Sequence, residues 1–224
     1  QEIHIPDSNF LSALIEQGVD CNNDGVISQD EAENVLSLSI SQKGIGDLSG
    51  IEFFSNLDSL DCSWNNLKKI DMSKNPTLVY LNCIRNNNLD SINISNCIEL
   101  KELLSSDGNL TKIDASDCHR LERLYCVRHE LLEIDVSGCD SLTDLEVYRN
   151  NLDTLDLSNN LVLDYLACSS NNLSTIDLSN NLFLTGLRST FNPITELDLS
   201  NNSVLQTLWV GSMSLSHLDL SNNT

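Results

Sequence analysis

Leucines recur along most of the chain at an almost constant interval. From residue 57 onward, equivalent leucines lie 21 residues apart, except at one step of 22. These leucines are Leu57, Leu78, Leu100, Leu121, Leu142, Leu163, Leu184 and Leu205. Because a fixed period of this length is typical of stacked repeat proteins, the interval by itself predicts the architecture.

Each repeat contains two short stretches in which apolar and polar residues alternate. In the first repeat these are Leu60-Asp61-Cys62 and Ile70-Asp71-Met72, and Asn or Ser closes each one. Alternation with a period of two, followed by turn formers, predicts a short strand and a corner twice per repeat. A repeat this short buries its apolar side only by stacking, with strands about 4.8 Å apart. The pattern predicts a mainly β, right-handed coil with two narrow parallel sheets.

The consensus of the repeat is L-x-x-L-x-C-x-x-N-x-L-x-x-I-D-x-S-x-N-x-x, as it stands from Leu57 to Asn75. It resembles the leucine-rich repeat, and its double half-unit is similar to the 21-residue bacterial class called IRREKO. Residues 35–56 resemble one further turn of the internalin kind. The resemblance implies a leucine-rich repeat solenoid of eight repeats over residues 57–224, a joining repeat over 35–56 and a cap over 1–34.

The cap is expected to be a small α-helical unit. Pro6-Asp7-Ser8 is a helix-start pattern, and Gly18 is a stop signal. Between them, the spacing of the apolar residues predicts one buried helical face. The residues on that face are Phe10, Leu11, Leu14 and Ile15. A second short helix is expected from about residue 29 to residue 34, where it meets the first strand at Val35.

The segment DCNNDGVISQDE, residues 20–31, matches the calcium-loop pattern D-x-[DN]-x-[DN]-G-x₅-E at every position. Calcium takes six to eight oxygen ligands, and this spacing supplies them, one through a water held by the serine. The predicted ligands are Asp20, Asn22, Asp24, the Val26 carbonyl, Ser28 and Glu31. The segment resembles the loops of EF-hand and dockerin modules, which implies bound Ca²⁺. An ordinary loop in which Asp and Asn make local turns is the alternative.

A structural role for this calcium is the expectation. There is one such loop, whereas EF-hand sensors use a pair, and its exit helix leads straight into the first strand. A loop tied to a stacked coil has no freedom to open as a sensor does. We therefore predict that the ion fastens the cap over the first turn, which would otherwise expose apolar core and strand edge.

Cysteines fall into two sets of equivalent positions. Cys62, Cys83, Cys126 and Cys168 occupy an inward column, and Cys97, Cys118 and Cys139 replace the corner asparagine in successive repeats. Buried free thiols are expected, with the second set making the weak backbone hydrogen bond of an Asn. Disulfides between neighbouring turns stay open as an alternative. No pair has zinc-ligand spacing.

An acidic column marks the second strand of each repeat. Its members are Asp71, Asn93, Asp114, Asp135, Asp156, Asp177, Asp198 and Asp219. Stacked carboxylates repel, so each is expected to accept hydrogen bonds from the adjoining corner, where a Ser column follows. Because the ladder is present in every turn, it is interpreted as structural rather than catalytic.

The outward positions of the first strand carry a different chemistry, and we call them the first-strand face. They comprise the two residues flanking the second Leu of each repeat and the two residues after the inward Cys column. They hold all four tyrosines, both tryptophans and five of the six arginines. Since Tyr, Trp and Arg concentrate binding energy in interfaces, this face is the predicted ligand site. Its candidate residues are Trp64, Tyr80, Arg85, Arg123, Tyr125, Arg128, Tyr148, Arg149, Tyr165, Arg188 and Trp209.

The charge of the chain narrows its partners. A formal charge of −21 disfavours nucleic acid, and no apolar run is long enough to span a membrane. An extracellular protein or a glycan is the expected partner of a non-catalytic binding or adhesion module. A polysaccharide-degrading enzyme of the β-helix type and a structural spacer are the alternatives.

Location and assembly follow from the resemblance and from the termini. The combination of cap and repeats resembles surface proteins of Bacteroidetes, which implies a secreted or surface location, with a lipid anchor through a removed N-terminal segment as one route. The last repeat stops in mid-pattern at Thr224. End-to-end self-association through that turn is a further expectation.

Overall fold

The computed structural model describes residues 1–211 and 214–223. Ser212, which the pattern assigns to the first-strand face, and Thr224, the last residue of the eighth repeat, lie outside the described residues. The helices are α1 (Ser8–Glu16), α2 (Gln29–Glu33) and a 3₁₀ turn (Ile51–Phe53). The strands are β1 (Glu2–Ile3), β2 (Ile27–Ser28), β3 (Ser37–Ser39), β4 (Ser59–Asp61), β5 (Lys69–Asp71), β6 (Tyr80–Asn82), β7 (Ser91–Asn93), β8 (Glu102–Ser106), β9 (Lys112–Asp114), β10 (Arg123–Val127), β11 (Glu133–Asp135), β12 (Asp144–Glu146), β13 (Tyr165–Ala167), β14 (Gly186–Arg188) and β15 (Thr207–Trp209). Within the described ranges, neither helix is long and apolar enough to cross a membrane.

The cap is attached to the coil through the residue that starts its first helix. The Asp7 carboxylate accepts the backbone N–H groups of Asn9 and Phe10, which caps α1, and also those of Gly46 and Asp47 in the joining repeat. Hydrogen bonds from these N–H groups outweigh burial and lower the pKa of Asp7. One carboxylate therefore satisfies the helix start and fixes its position on the first turn.

The buried face of α1 differs from the predicted one at a single residue. Phe10 and Leu14 are fully buried and Leu11 is partly buried, but Ile15 is 40% exposed and Ala13 takes its place in the core. Successive residues turn by about 100° around a helix, so Ile15 lies some 140° away from Phe10. The buried stripe is therefore shifted around the helix, away from Ile15 and toward Ala13.

A continuous parallel sheet forms the spine of the solenoid. Its nine strands are ordered β3, β4, β6, β8, β10, β12, β13, β14 and β15. Equivalent residues pair across the turns, as in Leu60 with Leu81 and Leu166 with Leu187. Strand β3 pairs with β4, which makes the joining repeat the first turn of the coil. The fold class predicted from the repeat is confirmed.

The second half of each turn is less regular than the first. In the described residues it forms only the pairs β5–β7 and β9–β11, and later repeats run through the same positions without strand pairing. The paired strands centre on Ile70, Ile92, Ile113 and Ile134. Leucine replaces isoleucine at 155 and 197, where the side chain stays buried. β-branched residues suit paired strands better than leucine does.

The corners confirm the expected roles of cysteine and aspartate. All eight cysteines are free, and seven are buried. Burial raises the pKa of Cys97 and Cys139 to about 12, and their thiols donate to the carbonyls of Met72 and Ala115, both at 3.3 Å. On the second strand, each member of the acidic column accepts the N–H of the serine two residues later, as Asp156 does from Ser158 at 2.9 Å.

An asparagine ladder runs inside the coil beneath the first strands. The Asn65 side chain donates to the carbonyls of Ile40 and Cys62 and accepts the N–H of Ile45, so one side chain links two turns. Equivalent bonds are made by Asn86, Asn150, Asn171 and Asn192. These side chains satisfy backbone groups that the corners leave unpaired within the core.

Among the described residues, the ladder is interrupted by a paired replacement in two successive repeats. Gly108 and His129 stand where Asn is expected, and a Cβ on Gly108 would lie 2.9 Å from the His129 ring. The Gly108 N–H donates to His129 Nδ1 at 3.1 Å, so the neutral ring carries its proton on Nε2, 3.0 Å from Ser105 Oγ. Burial lowers the pKa of His129 to about 4.

His129 should make the coil acid-sensitive. Its folded pKa of about 4 lies below the ordinary 6.5, so the unfolded chain takes up the proton first as pH falls. Stability is then lost from pH 6.5 down to about 4, by up to roughly 3 kcal/mol. The measurement is the urea midpoint against pH, compared with the variant Gly108→Asn/His129→Asn, which restores the ladder. The same slope between pH 6.5 and 4 in both proteins would contradict this assignment.

Candidate binding face

The continuous sheet places the predicted face residues in rows along the coil. Strand pairing aligns Tyr80, Arg123 and Tyr165 in one row, through Glu102 and Asp144. A second row contains Tyr125, Arg188 and Trp209. The other five candidate residues follow the ends of the strands. They are Trp64, Arg85, Arg128, Tyr148 and Arg149. All eleven therefore lie along one side of one sheet, as the repeat pattern predicts.

The residues at the end of each first strand adopt an unusual backbone conformation. Their φ angles lie between 54° and 61°, in the left-handed region. They are Trp64, Arg85, Asp107, Arg128, Arg149, Ser170 and Phe191. For a residue with a Cβ this region costs on the order of 1 kcal/mol, and Gly or Asn is the common choice. The row nevertheless carries large and charged side chains, and Phe191 is 63% exposed.

At the N-terminal end of the face, two arginines share one carboxylate. Asp107 lies 3.3 Å from Arg85 Nε and 3.0 Å from Arg128 Nη1, and Arg85 is stacked over the Trp64 ring at 5.0 Å. Burial acts to raise the pKa of Asp107, but the hydrogen bonds from Ser106 and Arg128 and the two guanidinium charges hold it below its ordinary value. Both arginines of this part of the face are therefore ion-paired, and one positive charge of the group is left over.

The centre of the face combines a tyrosine pair with a second ion-pair group. Tyr125 and Tyr148 meet edge to face, with ring centroids 6.2 Å apart, and their hydroxyls are 3.1 Å apart. Burial and the Tyr148 hydroxyl raise the pKa of Tyr125. Arg123 lies 3.0 Å from Glu102 and 3.6 Å from Asp144.

Two half-buried carboxylates stand out in this central region. Burial raises the pKa of both Asp144 and Glu146. Within the described residues, Asp144 Oδ1 has no hydrogen-bond partner. The nearby concavity of about 290 Å³ is lined by Tyr80, Glu102, Arg123 and others. The region can hold a polar group against aromatic edges.

The C-terminal part of the face is built around Arg188. Its guanidinium carbon lies 4.7 Å from the centre of the Trp209 ring and 5.8 Å from that of Tyr165. The Tyr165 ring lies against Gly186, where an added Cβ would come within 2.6 Å of it. Trp209 is 56% exposed.

The predicted calcium loop is folded around its own carboxylates. Asp20 accepts the N–H groups of Asp24 and Gly25, at 3.2 and 3.0 Å, and the Asn22 oxygen also accepts from Asp24. The left-handed φ of 85° at Gly25 makes this turn possible. Side-chain oxygens of the loop thus point inward and accept its backbone N–H groups.

Glu31 is a predicted ligand with a competing role, which it shares with Ser28. Its carboxylate accepts from Ser28 N and Oγ, which completes a capping box on α2, and from Cys21 N at 2.9 Å. The Ser28 hydrogen bonds in particular lower its pKa. In the described part of the chain, no three His, Cys, Asp or Glu side chains are grouped closely enough to hold a metal. The oxygens fit calcium in kind and order, and Glu31 would have to turn from its cap to bind bidentately.

Sequence reasoning overlooked one exposed apolar surface. It lies at the corners that precede strands β13, β14 and β15. Its residues are Leu161, Val162, Leu182, Phe183 and Val204. Phe183 is 62% exposed, nearly the same as Phe191. The alternation pattern hides these residues because they follow a turn asparagine, where polar residues are expected.

Comparison with known proteins yields structural neighbours only. The chain matches no protein-family model and no curated protein. It is similar to the functional domain of InlJ from Listeria monocytogenes, at 27% identity and a TM-score of 0.50, over 98% of this chain and 63% of that one. That domain includes a cysteine ladder. The chain thus spans less than two thirds of the length of InlJ in that structure.

Two further neighbours share the fold at lower identity. Internalin C2 from Listeria monocytogenes is 19% identical, with a TM-score of 0.66, over 98% of this chain and 90% of that one. The plant peptide hormone receptor RGFR1, in complex with RGF2, is 20% identical, with a TM-score of 0.57, over 75% of this chain and 30% of that one. The chain therefore has the solenoid fold of internalin-type leucine-rich repeat proteins.

Proposed function

We propose that this protein is a non-catalytic recognition module that binds a protein ligand on its first-strand face, outside the cell. The observation that carries the proposal is the row of left-handed residues at the strand ends. Five large residues of this row adopt a backbone conformation that glycine or asparagine would adopt at a lower cost in free energy. They are Trp64, Arg85, Arg128, Arg149 and Phe191. Bulky, exposed side chains at such positions are what a binding surface requires and what stability alone does not.

A protein fits this face better than a glycan does. Sugar rings need open aromatic faces, but Arg85 is stacked on Trp64 and Arg188 on both Tyr165 and Trp209. Arginines held against aromatic rings keep their N–H groups for carboxylates and carbonyls, which protein surfaces supply in abundance. Among the neighbours, RGFR1 is a peptide hormone receptor in complex with RGF2, which supports binding by this fold.

The calcium loop is proposed as a fastening of the cap. The cap packs on the first turn through Asp7, and β1 pairs with β2 at the exit of the loop, Ile3 opposite Ile27. An ion held by Asp20, Asn22, Asp24 and the Val26 carbonyl would fix this end of the coil. The extracellular location, which provides calcium at high concentration, is supported by the resemblance to surface proteins.

Removing the central tyrosines should abolish ligand capture. The variant Tyr125→Ala/Tyr148→Ala deletes two interfacial rings, and truncating such anchors typically weakens binding by about thirtyfold or more each. The measurement is capture on an array of purified extracellular proteins and glycans, with thermal unfolding as the check on folding. Phe183→Ala is the control, since it removes an exposed aromatic ring away from the face. Undiminished capture by a folded double variant would contradict the assignment of this face, and capture of glycans alone would contradict a protein ligand.

Chelation should affect stability more than affinity. Calcium added to the chelated protein is expected to raise the melting temperature, because it stabilises only the folded cap. Glu31→Gln should remove this increase, and Glu33→Gln should not, since the Glu33 carboxylate bonds the Gln29 side chain instead. Loss of ligand binding from an intact coil on chelation would make the loop part of the binding site.

A further inference from the structure

Arg188 differs from most arginines of the face because it has no ion pair among the described residues, although its charge acts on the half-buried Glu146. Among the described residues, no carboxylate oxygen lies within 4 Å of its side-chain nitrogens, whereas Arg85, Arg123 and Arg128 are ion-paired. Arg149 is also without an ion pair in that part of the chain, but no ring is stacked on it. Only Arg188 combines a free charge with a fixed position.

The fixed position depends on Gly186. The backbone at Gly186 is not left-handed, so glycine is present for space and not for its φ angle. The missing Cβ lets the Tyr165 ring rest on the backbone of β14, close to Arg188. With Trp209 paired directly opposite Arg188 on the next strand, the guanidinium is held from two sides. Because its side chain is already fixed in the free protein, Arg188 loses less rotamer entropy on binding than a mobile arginine would.

The side chains beside Arg188 are mainly aromatic or hydroxylic, and the acidic residue that its charge reaches is Glu146, whose pKa the guanidinium acts to lower. Trp209 and Phe191 are exposed aromatic residues, and Ser169 and Thr190 hydrogen-bond to each other at 3.1 Å. The nearest acidic residue along its row is Glu146, two strands away across Ala167. In a chain with a net charge of −21, this is a cationic point in an aromatic setting. It is complementary to a carboxylate with apolar groups on both sides.

We infer that Arg188, held between Tyr165 and Trp209, is the anchor for an acidic side chain in an extended segment of the protein ligand. The Asp or Glu carboxylate receives the guanidinium N–H groups, and the apolar residues beside it contact Phe191 and the two rings. Aromatic groups on both sides of Arg188 favour an internal side chain over a C-terminal carboxylate, which has chain on one side only. The inference rests on the proposed function and names the chemistry that this part of the face selects.

The test is a selection of random peptides on the immobilised full chain. The wild type should enrich peptides with Asp or Glu between apolar residues, and Arg188→Gln should lose that enrichment. Arg120→Gln is the matched control, because Arg120 is exposed, lies off the face and pairs with Glu99. For a synthetic peptide from the selection, Arg188→Gln or replacement of Glu by Gln in the peptide should weaken binding by about ten- to a hundredfold.

A second variant tests the holding of Arg188 without changing its charge. In Gly186→Ala the new methyl displaces the Tyr165 ring, so the same peptide should bind several-fold more weakly while thermal unfolding shows an intact coil. Unchanged affinity would mean that the Tyr165 ring does not position Arg188.

The outcomes separate this inference from the proposed function. Peptides that need Tyr125 and Tyr148 but bind equally well to Arg188→Gln would overturn the inference and leave the proposed function standing. Acidic peptides that lose binding when the C-terminus is amidated would overturn the choice of an internal side chain. Failure to select any peptide that depends on the face would overturn both.

Discussion

In-register stacking at an interval of 21 residues is the constraint on which the rest of this structure depends. Each turn must place every side chain directly above its equivalent, so one residue type is repeated down each column and its interactions are repeated with it. The asparagines inside the coil illustrate this: each donates to the carbonyls of two turns and accepts from a third group. Where histidine replaces asparagine in this column, the residue one turn earlier changes as well: Gly108 leaves space for the His129 ring.

The corner positions show how the same constraint chooses between residues. At the second corner, Asn75 and Asn160 donate twice to buried carbonyls, yet among the described residues their oxygens have no hydrogen-bond partner. Cys97 and Cys139 occupy the equivalent place with one weak donor and no acceptor left unsatisfied. A buried unpaired oxygen costs about as much as a hydrogen bond contributes, so the two solutions are close in free energy. This explains why the column tolerates both.

On the first-strand face, side chains are free of this repetition. Its charges are distributed unevenly. In the N-terminal part Arg85 and Arg128 are ion-paired with Asp107, whereas Arg188 is held by rings and has no carboxylate within 4 Å among the described residues. Three of the six Tyr and Trp residues of the face therefore support arginines, namely Trp64, Tyr165 and Trp209. This distinction separates a surface for protein recognition from one for stacking sugars.

Sequence alone determined the repeat, its strand and corner positions, the inward columns and the side of the sheet that carries Tyr, Trp and Arg, because period and alternation fix which way a side chain points. It also fixed the order of oxygens in the loop of residues 20–31, which remains a prediction of calcium binding. Tertiary structure decided the features that depend on packing. These are the partial pairing of the second strands, the exposure of Ile15, the Gly108–His129 exchange and the placement of the Tyr165 ring over Gly186 and against Arg188. Apart from the exposure of Ile15, these depend on residues about one period apart along the chain, whose distances and ring orientations no local pattern specifies.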